Sequence, residues 1–161
     1  MTTPYRILTV CTGNICRSPM AEFMVSHAAA QAGLNVAVDS AGTSAWEVGN
    51  PMDPRALAVL ARHGIEATGH TARTFNPAWY AERDLILALD IDHYEDLRAL
   101  APNAAAAYKV RMLRSFDPEV AHAEPKQQGI YDPWYGDAKD FDVSWDLISA
   151  ALSGIVAHAR G

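Results

Sequence analysis

At 161 residues, half of them hydrophobic, the chain is long enough to bury one core and too short for two ordinary domains, so a single domain over 1–161 is expected. Its formal net charge is −6, and the absence of any basic run or stripe disfavours nucleic acid as a partner. No apolar run approaches membrane-spanning length, and the start MTTPYRILTV lacks the pattern of a signal peptide. No membrane association and a cytoplasmic location are therefore expected, with export by an unmarked route the alternative.

The first predicted element is a strand over 5–11, the β-branched and apolar run YRILTVC. It leads into the small-residue stretch Thr12-Gly13-Asn14-Ile15-Cys16-Arg17. A helix is predicted over 19–32, with Ser18 as N-cap, Pro19 in the first helical position and Glu22 as early negative charge. Next come a strand over 36–40, a helix over 53–63, a short helix near 77–81, a strand over 85–88 and a helix over 92–101. Ala104 to Ala107 reads as a helix end, followed by a strand over 109–112. Residues 115–131, with two prolines and Gln127-Gln128-Gly129, read as a long connection. The last element is an amphipathic helix over 141–159, with Val143, Leu147, Ala150, Ala151 and Ile155 at helical spacing. Strand and helix alternate throughout, which predicts an α/β fold: three layers, with a four-stranded parallel sheet flanked by helices on both faces.

The loop after the first strand carries the chemistry. A small-residue turn opening a helix can aim several backbone N–H groups at one anion, where the helix dipole also favours negative charge. Cys11 opens this loop and Arg17 lies six residues later, so a thiol and a guanidinium fork can face the same tetrahedral oxyanion. Such surroundings favour a thiolate nucleophile. A lone cysteine at a strand end is more often a buried packing residue, but that role requires neither the arginine nor the glycine-containing turn.

The chain resembles the low-molecular-weight protein tyrosine phosphatases, whose CxxxxxR loop lies near the N-terminus. The resemblance is carried in order by VCTGNICRSPMAE, DSAGTSAWEVGNPMDPRA, HTAR at 70–73, ALD at 88–90 and DPWYGD at 132–137. It implies a phosphatase reaction through a covalent phosphocysteine, with Cys11 as nucleophile, Arg17 as stabiliser of the phosphoryl oxygens and Asp132 as general acid and then base. Backbone N–H groups from Thr12 to Ser18 would hold those oxygens, and the Ser18 hydroxyl would support the Cys11 sulfur. By the same resemblance Ser40 and His70 hold Asn14, whose residue type tolerates a left-handed backbone, and Asp90 pairs with Arg17.

Trp46, Trp134 and Tyr135 stand in loops rather than in periodic apolar runs, so they are expected to wall the substrate pocket together with the loop residues. Family members often carry Tyr at the position of Trp134. Relatives acting on phosphoarginine tend to have Thr where this chain has Ile15, which favours phosphotyrosine-containing proteins as substrates. Both cysteines, Cys11 and Cys16, lie in the loop, which leaves no further thiol for an arsenate-reducing relay. Cys16 is either a packing residue or a partner for a protective disulfide with Cys11. The six histidines show no ligand spacing, so neither metal nor cofactor is expected. A monomer with weak self-association is the family expectation. The alternative functions are a phosphoarginine phosphatase or an arsenate reductase on the same fold, or a phosphate-gripping module without turnover, against which last Cys11, Arg17 and Asp132 stand together.

Overall fold

The computed structural model describes residues 2–161. Its four strands, β1 Tyr5–Cys11, β2 Val36–Gly42, β3 Leu85–Ala88 and β4 Val110–Met112, are all parallel and lie in the order β2-β1-β3-β4. The helices are α1 Arg17–Gln31, α2 Pro54–Arg62, α3 Ile91–Leu100, α4 Ala104–Tyr108 and α5 Ala138–Arg160.

Successive β1 side chains point to opposite faces, and both faces are covered, which is why the strand is a continuous apolar run. Ile7 and Cys11 join the core built by Met20 and Met24 of α1, Leu60 of α2 and Phe141, Ile148 and Ile155 of α5. Leu8 and Val10 join the opposite core with Leu97 of α3, Ala106 of α4 and Tyr80 from the 3-10 turn Pro77–Glu82. Ile7, Leu8 and Val10 are wholly buried, and each contributes about 2 kcal/mol of hydrophobic stabilisation. The central strand therefore presents its carboxyl end from a rigid base. The loop following β1 and Asp90 following β3 emerge on the same edge, where parallel α/β sheets hold ligands.

Five local expectations are corrected. Helix α1 begins at Arg17, not Pro19, and its cap position is Cys16 with no side-chain cap. Ser18 is thus not the N-cap: its hydroxyl is turned to Cys11 and Asn14 instead. Glu22 lies beyond the first turn and accepts from Ser40 Oγ at 2.6 Å. Ala104 to Ala107 is no helix end but part of the separate helix α4, started by Asn103, whose Oδ1 accepts from Ala106 N–H at 2.8 Å. Helix α5 starts at Ala138, where Asp137 and Asp140 form a capping box three residues before the apolar periodicity begins. The 115–131 connection is irregular apart from 3-10 turns at Leu113–Phe116 and Pro125–Gln127.

Candidate active site

The loop from Cys11 to Ser18 is shaped from beneath by Asn14. Its φ of 61° is the one left-handed angle outside glycine among the described residues, and its side chain is fully buried. Asn14 Nδ2 donates to Ser18 Oγ at 2.8 Å and to Ser40 Oγ at 2.9 Å, while Oδ1 accepts from Arg73 N–H at 3.0 Å. His70 Nε2 lies 2.8 Å from the Asn14 carbonyl oxygen, so it is the protonated ring nitrogen and donates. Burial pushes the His70 imidazole below its ordinary range and the Glu22 carboxyl above its own, which moves both toward neutrality. From the side, β2 closes on the loop: Thr43 N–H donates to Cys11 O at 2.8 Å and Ser44 N–H to Thr12 O at 3.0 Å. This approach requires glycine at 42, where a Cβ would stand 2.5 Å from Thr12 O.

With the loop so held, none of its seven N–H groups from Thr12 to Ser18 donates to another protein group among the described residues. They form the concave donor set that oxyanions occupy. Ser18 Oγ accepts from Asn14 and lies 2.9 Å from Cys11 Sγ and 3.3 Å from Ala41 O, so its one hydrogen is shared between the sulfur and that carbonyl, the sulfur being the nearer.

Arg17 is 4% exposed and is fixed by Nη1 donating to Ile130 O at 2.8 Å. Nη1 lies 3.6 Å from Asp90 Oδ2 and Nη2 lies 3.5 Å from Asp132 Oδ2, while the buried Nε has no protein partner. Asp90 also caps α3, and Gly129 passes so close that a Cβ would collide with its carboxylate. Asp132 Oδ1 caps the 3-10 turn Pro133–Tyr135 by accepting from Trp134 N–H at 3.1 Å, which leaves Oδ2 facing Arg17.

Cys11, Thr12, Gly13, Ile15, Cys16, Arg17 and Asp132 line one cleft with Trp46, Trp134, Tyr135 and Glu47. A model of the family described as low molecular weight phosphotyrosine protein phosphatase matches residues 6–160. The chain belongs to this family. It is 46% identical over 158 residues to the low molecular weight protein-tyrosine-phosphatase of Streptomyces coelicolor, covering 97% of this chain and 94% of that one. Among solved structures it resembles Primo-1, with a TM-score of 0.84, 35% identity and 95% and 97% of the two chains covered. A Drosophila arginine phosphatase superposes with a TM-score of 0.85 at 26% identity, covering 96% and 98%.

Most of the residues anticipated for a phosphatase of this family are brought together here. Trp46 and Tyr135 are each 82% exposed and Trp134 is 49% exposed, so these rings form the rim rather than cap the core. Trp134 and Tyr135 meet edge to face at 5.0 Å. Asn14 and Ser18 are the exceptions among the expected substrate contacts: both residues are fully buried and neither lines the cleft. Cys16 packs in the core at the floor of the cleft, and burial together with the nearby Asp53 carboxylate pushes its thiol well above the ordinary range.

Several site residues escaped the sequence reading. His93 Nδ1 accepts from Asp90 N–H at 3.1 Å, so its Nε2 carries the hydrogen and donates to Thr12 Oγ1 at 2.8 Å. Burial and the Arg17 charge hold its pKa down to about 3, which keeps it neutral. Arg73 ties Asn14 to Ser40 through its own N–H and through Nε donating to Ser40 O at 2.9 Å. Arg73 lies in the HTAR motif and Arg55 in DSAGTSAWEVGNPMDPRA, so the sequence marks both as charged residues inside motifs. For His93 there was no signal, since only the tertiary fold carries it to Thr12.

Proposed function

We propose that the protein hydrolyses phosphotyrosine monoesters on phosphoproteins through a covalent phosphocysteine. The observation that carries this reading is the nearly buried Arg17 guanidinium, with an unpartnered Nε, set between the Asp132 carboxylate and the donor-rich loop that begins at Cys11. Cys11 Sγ attacks phosphorus in line, the S–P bond forms and the P–O bond to the tyrosine oxygen breaks. Asp132 gives that oxygen its proton. The loop N–H groups and Arg17 neutralise charge on the three equatorial oxygens, as phosphoryl transfer demands. In the second step Asp132 takes a proton from water, the new O–P bond forms and the S–P bond breaks, which returns the Ser18-supported sulfur.

The aromatic rim of Trp46, Trp134 and Tyr135 supports an aryl substrate, because a phosphotyrosine ring can lie against it while its phosphate reaches the loop. The likeness to an arginine phosphatase makes phosphoarginine the second substrate to test. Turnover of a phosphotyrosine peptide and of phosphoarginine by wild type, Cys11→Ser and Asp132→Ala tests both readings. Wild-type release of phosphate from the peptide, lost in Cys11→Ser, is expected; retained activity in Cys11→Ser refutes the mechanism. The Asp132→Ala loss should be steepest for poor leaving groups, about 10²-fold or more, and equal losses for all leaving groups refute the acid assignment.

A further inference from the structure

The segment bearing Asp132 has little regular structure of its own: a 3-10 turn, then Gly136, then the cap of α5. Its rigidity must come from what crosses to it: Arg17 reaches Ile130 O and Asp132 at its start, and beyond Asp132 the crossing is made from the start of α2. Asp53 caps that helix, its Oδ1 accepting from Arg55 N–H at 2.8 Å, while its own N–H donates to Ile15 O of the thiol loop at 2.9 Å. Arg55 folds back on the same carboxylate through Nε at 3.1 Å and Nη2 at 2.9 Å. Its Nη1 donates to Gly136 O at 3.0 Å and its Nη2 also to Trp134 O at 3.3 Å. The guanidinium lies 4.5 Å from the centre of the Phe141 ring, in the first turn of α5.

We infer that Arg55, oriented by Asp53, is a positioning residue that fixes the Asp132 segment against the Cys11 loop. Arg55 does not line the cleft, so it acts through the segment and not on the substrate. A half-exposed ion pair alone is worth little, but here one planar fork satisfies a carboxylate and two carbonyls at once, a geometry lysine cannot reproduce. The two carbonyls lie two and four residues beyond Asp132, so loosening them lets the carboxyl drift from the leaving oxygen. The thiol loop keeps its independent support from Asn14, Ser40 and His70.

The inference rests on Asp132 as general acid, and the test separates the two. Arg55→Met, Arg55→Lys and Asp53→Asn are made in wild-type and Asp132→Ala backgrounds, and kcat/KM is measured for phenyl phosphate and p-nitrophenyl phosphate. Inorganic phosphate inhibition reports on the loop. Arg55→Met is expected to lower kcat/KM about tenfold for phenyl phosphate and under about twofold for p-nitrophenyl phosphate, because sub-ångström misplacement costs a fraction of the acid's contribution. Phosphate inhibition should stay within about twofold, Arg55→Lys and Asp53→Asn should show the same leaving-group signature at smaller size, and the effect should vanish in Asp132→Ala. Equal losses on both substrates, no loss on phenyl phosphate, or an undiminished loss in the Asp132→Ala background overturns the inference alone. If Asp132→Ala itself leaves phenyl phosphate turnover at the wild-type level, the acid assignment falls and this inference with it.

Discussion

Replacing Asn14 by alanine removes the support under the whole anion loop, and its cost can be worked from the contacts. Three side-chain hydrogen bonds disappear, those to Ser18, Ser40 and the Arg73 N–H. At about 1 kcal/mol each they account for about 3 kcal/mol, more where a partner is left buried and unpaired. Alanine at φ 61° adds about 1 kcal/mol of backbone strain that asparagine largely avoids. The expected loss is therefore about 4 kcal/mol, a large part of a domain's total stability. Urea unfolding at neutral pH measures it, with an unchanged m-value showing that the reference states are the same. Asn14→Gly should recover about 1 kcal/mol by relieving the strain but not the lost bonds. Asn14→Ala and Ser40→Ala should combine to less than their sum, since they share a bond. A loss below about 1 kcal/mol with undiminished aryl phosphate turnover would refute the view that this side chain holds the loop.

Two further outcomes follow from single contacts. His93 stays neutral when folded, with its pKa held down to about 3, whereas an unfolded histidine protonates near pH 6.5. The unfolded state thus binds the extra proton between those values, and stability falls as pH drops below about 6.5, by about 1.4 kcal/mol per unit from this residue. His93→Gln should flatten that slope in urea titrations at pH 7, 6 and 5, and parallel slopes would dismiss the assignment. Gly42→Ala places a methyl against Thr12 O and should destabilise by about 1–3 kcal/mol while lowering kcat/KM. A thermal midpoint matching wild type would show that β2 and the loop are not in this close register.

The parallel sheet and the site's main residues were readable because they depend on local signals. An apolar run ending in Cys11, a glycine-containing turn and Arg17 lie within one short stretch, and Asp132-Pro133 sits in an aromatic turn that marks itself. The misreadings came where one residue can serve two partners. Ser18 before a proline has the appearance of a cap, yet the geometry directs its hydroxyl to a sulfur and an amide. Alanine periodicity did not reveal that Asn103 starts a new helix. The contacts of His93 to Thr12 and of Arg55 to Gly136 span 81 residues each, and no local pattern encodes such a distance. They arise only when β3 and α2 have docked.

The unlike surroundings of the two cysteines give the protein a built-in chemoselectivity. Cys16, packed in the core with Asp53 beside it, remains a protonated thiol at neutral pH. Both thiols are nearly buried and both line the cleft, but Cys11 has the Ser18 hydroxyl at 2.9 Å where Cys16 has a carboxylate. A mild alkylating reagent should therefore consume one equivalent per folded chain and a second only after denaturation, so that the thiol count itself becomes an active-site titration.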